Sequence, residues 1–158
     1  MKQSPELQSI QEKMQPGSLS AKGFLGDDTR SLADILAGDH TTLERLGISH
    51  STFADRLRYF TAGGISGLGS SVIVDGTFEV TVEEFKGSVP CPFSDHFHAV
   101  KRNTRVINLA TGRSFYWSEL NVHMIEAHGF YEGKGSFFRV DPIEAVEILE
   151  IKQNPAIK

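Results

Sequence analysis

Four of the six histidines, His96, His98, His123 and His128, fall between residues 96 and 128, just after the single cysteine, Cys91. Neutral imidazole and thiolate are ligands of zinc and related divalent metals, and three or four of them suffice for a site. His96 and His98 sit two apart on an expected strand, so both point to one face. His123 and His128 follow on an expected helix. Cys91, His96, His98, His123 and His128 therefore read as a metal site, with zinc or another divalent ion as cofactor. Five residues carry a regular helix through roughly 140°, so His123 and His128 reach one ion only if the helix unwinds at Gly129. The competing reading makes His123 a hydrogen-bonded core histidine beside Leu120 and Ala127, and His128 a complement to the negative helix end. A nucleophilic thiol needs a helix N-terminus or a cationic neighbour. Cys91, stiffened between Pro90 and Pro92, reads instead as a ligand or a small buried group.

A second constellation suits an anion. From His96 to Ser118 there are four basic residues (Lys101, Arg102, Arg105, Arg113) and no acid. Beyond it, Gly133-Lys134-Gly135-Ser136 can present consecutive backbone N–H groups as an anion nest does. Lys134, Ser136 and Arg139 are the anion- or ligand-binding candidates there, with Tyr131, Phe137 and Phe138 as aromatic walls. The glycine spacing is one residue short of a P-loop, and a helix precedes it where a P-loop has a strand.

Residues 39–58, DHTTLERLGISHSTFADRLR, resemble the helix-turn-helix of DNA-binding proteins. Leu46, Gly47, Ile48 and Phe53 occupy the apolar and turn-glycine positions of that pattern. Leu43 departs from it where a small residue is preferred, and Thr42 and Arg56 stand at usually apolar positions. The resemblance implies that His50, Ser51, Thr52, Asp55 and Arg56 face the major groove, with the hairpin at 71–85 as a wing. The charges oppose it. Arg30, Arg45, Arg56 and Arg58 are balanced by Asp34, Asp39, Glu44 and Asp55, whereas a DNA surface neutralises several phosphates. His96-Phe97-His98 is similar to the metal pair of cupins, but Lys101 and Arg102 stand where the cupin Glu belongs.

The elements that must position these residues follow from period and caps. Ser4-Pro5 opens a short amphipathic helix carrying Leu7, Ile10 and Met14, which docks on the body or on a partner chain. Leu32, Ile35 and Leu36 form a helix ending at Gly38. Thr41 and Glu44 form a capping box for a second short helix. Ser49 or Ser51 caps a longer third, carrying Phe53, Leu57 and Phe60 and closed by Gly63-Gly64. The run Gly63–Ser71 reads as a linker. After it the period becomes two. Asp75-Gly76 joins strands Ser71–Asp75 and Thr77–Phe85, and further strands are expected at His96–Val100, Thr104–Ala110 and Arg113–Trp117. Phe115 and Trp117 are expected to be buried against Leu120 or Met124. Ser118 caps a helix Glu119–His128 that ends at Gly129, and Asp141-Pro142 starts the last one.

The fold class is thus α+β: an N-terminal helical, helix-turn-helix-like subdomain, then an antiparallel sheet with one or two packed helices. The expected division is an arm over 1–17, a helical subdomain over 18–64, and the sheet with its helices over 65–158. With 158 residues, 39% of them apolar, the chain can bury a core without disulfide or metal. A net charge of −4 disfavours a nucleic-acid coat or a membrane surface, and no apolar run reaches membrane-spanning length. A cytoplasmic, soluble protein is expected, with homodimerisation through the terminal helices open. The leading function is binding of a small ligand or metal through residues 91–139, with catalysis undecided. The alternatives are a DNA-binding regulator working through residues 41–60 and an interaction protein without chemistry.

Overall fold

The computed structural model describes residues 3–154. Among the described residues are five α-helices and a four-stranded antiparallel meander. α1 (Pro5–Lys13), α2 (Leu32–Leu46) and α3 (His50–Gly64) precede β1 (Val72–Val74), β2 (Phe78–Pro90), β3 (His98–Asn108) and β4 (Ser114–Ser118); α4 (Glu119–His128) and α5 (Pro142–Leu149) close it. The strands pair in chain order. Asp75 (φ 54°) and Gly76 (φ 71°) make the β1–β2 turn. Val74 pairs with Phe78, so Thr77 completes a three-residue connection, and the two positive φ values suit the right-handed twist of the flanking strands.

α2 runs unbroken through Gly38, so the expected break there and the Thr41 capping box are both absent. The apolar stripe of Leu32, Ile35 and Leu43 is buried, and that burial outweighs the roughly 1 kcal/mol that an interior glycine costs. The two strands expected at 96–110 are likewise one strand, β3, paired with β2 along its length around a bulge between Phe85 and Ser88.

The glycine-serine run at 63–71 is not a linker throughout: Gly63 and Gly64 belong to α3, and only residues 68–71 are an exposed connection. A methyl group at Gly64 would lie 2.5 Å from Val80 Cγ1, and one at Gly63 would lie 2.8 Å from Val74 Cγ2. These glycines let α3 settle directly on β1 and β2. One core consequently runs from Leu43 and Ile48 through Phe53, Leu57 and Phe60 to Val80, Val106 and Trp117, and on to Ala145 and Leu149. Fully burying each large side chain of this kind contributes about 1.5–3 kcal/mol.

A second cluster holds α1 to the body: Ile10, Met14, Phe24, Leu32 and Ile35 meet Cys91, Ala99, Leu120, Met124 and Phe130. α1 and the residue just ahead of its cap also satisfy the start of α2, because Gln11 Oε1 accepts from Leu32 N at 3.0 Å and Gln3 Oε1 from Ala33 N at 3.1 Å. Those N–H groups have no partner within their own helix. α4 lies between the two clusters, sending Val122 and Ile125 to the first and Leu120 and Met124 to the second. Phe115 and Trp117 are buried as expected, but in the cluster of Val122 and Ile125 rather than that of Leu120 and Met124.

Candidate metal centre

α4 is held at both ends by its own sequence. Ser118 and Asn121 form a reciprocal capping box, and Gly129 closes the helix in the left-handed conformation at φ 63°. His123 and His128 both leave this regular helix, with no unwinding before Gly129. They converge because a turn over residues 91–97 lies against the end of α4. His123 Nε2 and His128 Nε2 each lie 2.7 Å from the same oxygen, Asp95 Oδ2. The rings are fixed on their flat sides as well. His123 stacks on Phe97 with centroids 3.7 Å apart and planes 6° apart; His128 stacks on Phe93 at 4.0 Å and 8°. Cys91, Phe93, Asp95 and Phe97 are alternate residues, and each of the four meets α4 or its histidines.

The donor atoms of Cys91, Asp95, His123 and His128 all lie within 4.8 Å of one another. A tetrahedral ion with bonds of about 2.0–2.3 Å has donor–donor edges of about 3.3–3.8 Å. Loading an ion therefore asks each Asp95–imidazole pair to open by about half an ångström and the widest pairs to draw in by about one. Side-chain rotations of that size are small, so the four residues could hold a metal ion.

The charges prepare the centre unevenly. Burial works to raise the Asp95 carboxyl, but donation from His128, the Phe97 N–H, His123 and Cys91 wins, and it is held well below the usual carboxylate range. Burial pushes the Cys91 thiol up to about 12. Without a metal the centre is a carboxylate surrounded by donors, and the thiol keeps its proton. That state argues against Cys91 as a nucleophile, since the thiolate is the reactive form.

Of the five residues expected to form the metal site, Cys91, His123 and His128 come together and His96 and His98 do not. Both excluded histidines are exposed and border a surface cleft with Lys13, Leu19 and Ser94. The expectation failed because a strand was assumed from His96, whereas His96 sits in the turn at φ 65° and β3 begins only at His98. Asp95 was missed as a ligand. Its signal is the alternation Cys-x-Phe-x-Asp-x-Phe in a turn, ahead of a helix with two histidines.

The loop candidates face acids of the chain itself. The Lys134 N–H donates to Asp28 Oδ2 at 3.1 Å, Ser136 Oγ donates to Glu132 Oε1 at 2.7 Å, and Arg139 forms a two-pronged pair with Asp39 at 2.5 and 2.9 Å. The two Nη groups of Arg139 are thereby occupied by Asp39, while its buried Nε has no hydrogen-bond partner among the described residues.

The residues expected to face DNA lie on the first turns of α3, after a turn through Gly47 at φ 71°. His50 bonds to the Tyr131 hydroxyl at 2.8 Å and Asp55 pairs with Arg58. Arg56 Nε donates to the Leu149 carbonyl at 3.1 Å, with its guanidinium over the Phe60 ring. Thr52 is half-buried and Ser51 exposed. The 71–85 hairpin is part of the sheet beneath α3 rather than a wing standing off it. No helix among the described residues is long and apolar enough to cross a membrane.

No family model matches this chain, and no curated protein or solved structure matches it.

Proposed function

We propose that this is a metal-binding protein whose centre is Cys91, Asp95, His123 and His128, and that its ion is zinc. The observation carrying this is the convergence of one sulfur, two imidazole nitrogens and one carboxylate oxygen within a single ion's reach. Mixed sulfur, nitrogen and oxygen donors suit borderline-soft Zn²⁺, whereas Mg²⁺ and Ca²⁺ prefer oxygen alone. Four protein ligands fill a tetrahedron, which is the pattern of structural rather than catalytic zinc. The ion would tie the 91–97 turn to the end of α4, at the point where the second hydrophobic cluster meets the sheet.

The test is metal analysis of protein purified without an affinity tag, followed by titration of the stripped protein with Zn²⁺ and Co²⁺. One ion per chain is expected, with a sulfur-to-cobalt charge-transfer band that Cys91→Ser removes. His128→Ala and Asp95→Asn should each weaken binding by about tenfold or more, while His96→Ala and His98→Ala leave it unchanged. Undiminished binding in Cys91→Ser and His128→Ala would overturn the assignment.

A further inference from the structure

Glu132 is an unusual residue for its place. It is only 3% exposed, yet it adopts a left-handed backbone, φ 67°, that costs a non-glycine residue free energy and collects at functional sites. The loop carrying it is stitched to the N-terminal part of the chain. The Gly133 N–H donates to the Phe24 carbonyl and Asp27 N to the Lys134 carbonyl, both at 2.9 Å. A side chain at Gly133 would strike the Leu25 carbonyl oxygen at 2.2 Å. The backbone at Glu132 is thereby pinned from the next residue onward.

The Glu132 carboxyl accepts from Asn121 Nδ2 at 2.8 Å and from Ser136 Oγ at 2.7 Å. Both donors are neutral. The nearest cation in the loop, Arg139, spends its charge on Asp39 and touches Glu132 only at the backbone carbonyl. No cation among the described residues pairs with the carboxyl, and a buried ionised carboxylate without a counter-charge is costly.

Glu132 also lines a cavity of about 230 Å³, whose other walls include Phe24, Val89, Val100, Leu120 and Phe138. Arg102 and Lys101 stand at this cavity too. Arg102 is paired with Glu84 at 2.9 Å and approached by Glu119 at 3.6 Å, two acids that offset the charges of Arg102 and Lys101. Ligand pockets combine apolar walls with a few placed polar groups. This one has apolar walls and a single acidic residue lacking a cationic partner.

We propose that this cavity binds a small apolar amine, with the protonated nitrogen paired to Glu132 and the hydrocarbon body against Phe24, Leu120 and Phe138. The amine supplies the charge that the carboxyl lacks, and the aromatic rings at the wall favour a nearby cation. The volume lies below the roughly 300–1,000 Å³ of pockets for drug-sized ligands, so the ligand is a short arylalkyl or branched alkyl amine. The site lies apart from the four metal ligands and does not depend on them.

The test uses phenethylamine and its uncharged counterpart ethylbenzene, titrated into the intact protein and followed by amide chemical shifts. Phenethylamine should shift residues around Glu132, Phe24 and Leu120 and bind about tenfold or more tighter than ethylbenzene, the range of a charge-assisted hydrogen bond. Glu132→Gln, which keeps the shape of the group, should abolish that preference while leaving ethylbenzene binding in place. Equal binding of the two probes to the wild type would overturn the proposal without reference to any variant. So would the absence of shifts at these residues, or an unchanged preference in Glu132→Gln.

Discussion

Zinc binding at the proposed centre should release a proton from Cys91, and should keep doing so to unusually high pH. The thiol is buried and pushed from its reference value of 9.0 up to about 12. That shift adds about 4 kcal/mol to the cost of making the thiolate. It must be met from the roughly 10–16 kcal/mol that structural zinc delivers at neutral pH, so the site is affordable but weaker than one built on an ordinary thiol. With an ordinary thiol, the pH dependence of affinity from this ligand flattens near pH 9. Here the logarithm of the apparent association constant should rise by about one per pH unit through pH 9 and beyond, because the metal-free thiol is still protonated. The assay is competition against a chelator of known proton stoichiometry from pH 7 to 10. Calorimetry in buffers of different ionisation enthalpy counts the protons directly. Cys91→Ala should lower the count by about one and reduce the slope accordingly. A slope that levels off by pH 8.5, or a proton count unaffected by Cys91→Ala, would refute the reasoning.

The cavity carboxyl makes a prediction of opposite sign. Burial outweighs donation from Ser136 and Asn121 and raises Glu132 from 4.5 to about 7, so the fold favours its neutral form. Its contribution to stability is present below pH 4.5 and is lost as pH rises through 7. Glu132→Gln should therefore melt later than wild type at pH 8, by up to about 3 kcal/mol, and equally at pH 4.5; a gain independent of pH would contradict the burial argument. Gly64→Ala should destabilise by about 1–3 kcal/mol in denaturant titration through overpacking against Val80, whereas a free linker would tolerate it. Phe97→Ala should remove the stack on His123 and cost about 0.5–1.5 kcal/mol beyond the area it buries, with weaker metal binding in the same titration.

The elements whose signals are local were legible in the sequence. Ser118 and Gly129 bound α4 to the residue, Asp75-Gly76 makes the hairpin, and Asp141-Pro142 starts α5. Elements decided by tertiary packing were not. Gly38 reads as a stop only until the burial of Leu43 is known. The glycines at 63–67 read as a linker because nothing in the chain reveals that valines of β1 and β2 lie against them. The metal centre shows the same division. Cys91, His123 and His128 stand out by type. Asp95 resembles any surface aspartate until the turn sets it between two stacked imidazoles, and His96 looks as good a ligand as either until its backbone turns it away. Glu132 carried no signal at all, since a lone glutamate between Tyr131 and Gly133 gives no hint that its side chain is enclosed.

Two imidazoles sharing one carboxylate oxygen also bears on how fast an ion can enter. Each ring must aim an N–H at Asp95 Oδ2, so the nitrogens that would ligate an ion are capped by protons in the metal-free protein. The stacks on Phe93 and Phe97 hinder the rings from flipping, which leaves proton transfer as the open route: each Nε2 hands its proton to solvent while Nδ1 takes one up. Uptake then runs at the speed of two tautomer exchanges and one thiol ionisation, not at the speed of diffusion. Small proton carriers such as imidazole or phosphate should hasten loading without changing where the equilibrium lies. The same protons keep the four ligands gathered beforehand, so little of the chain has to be reordered when the ion arrives.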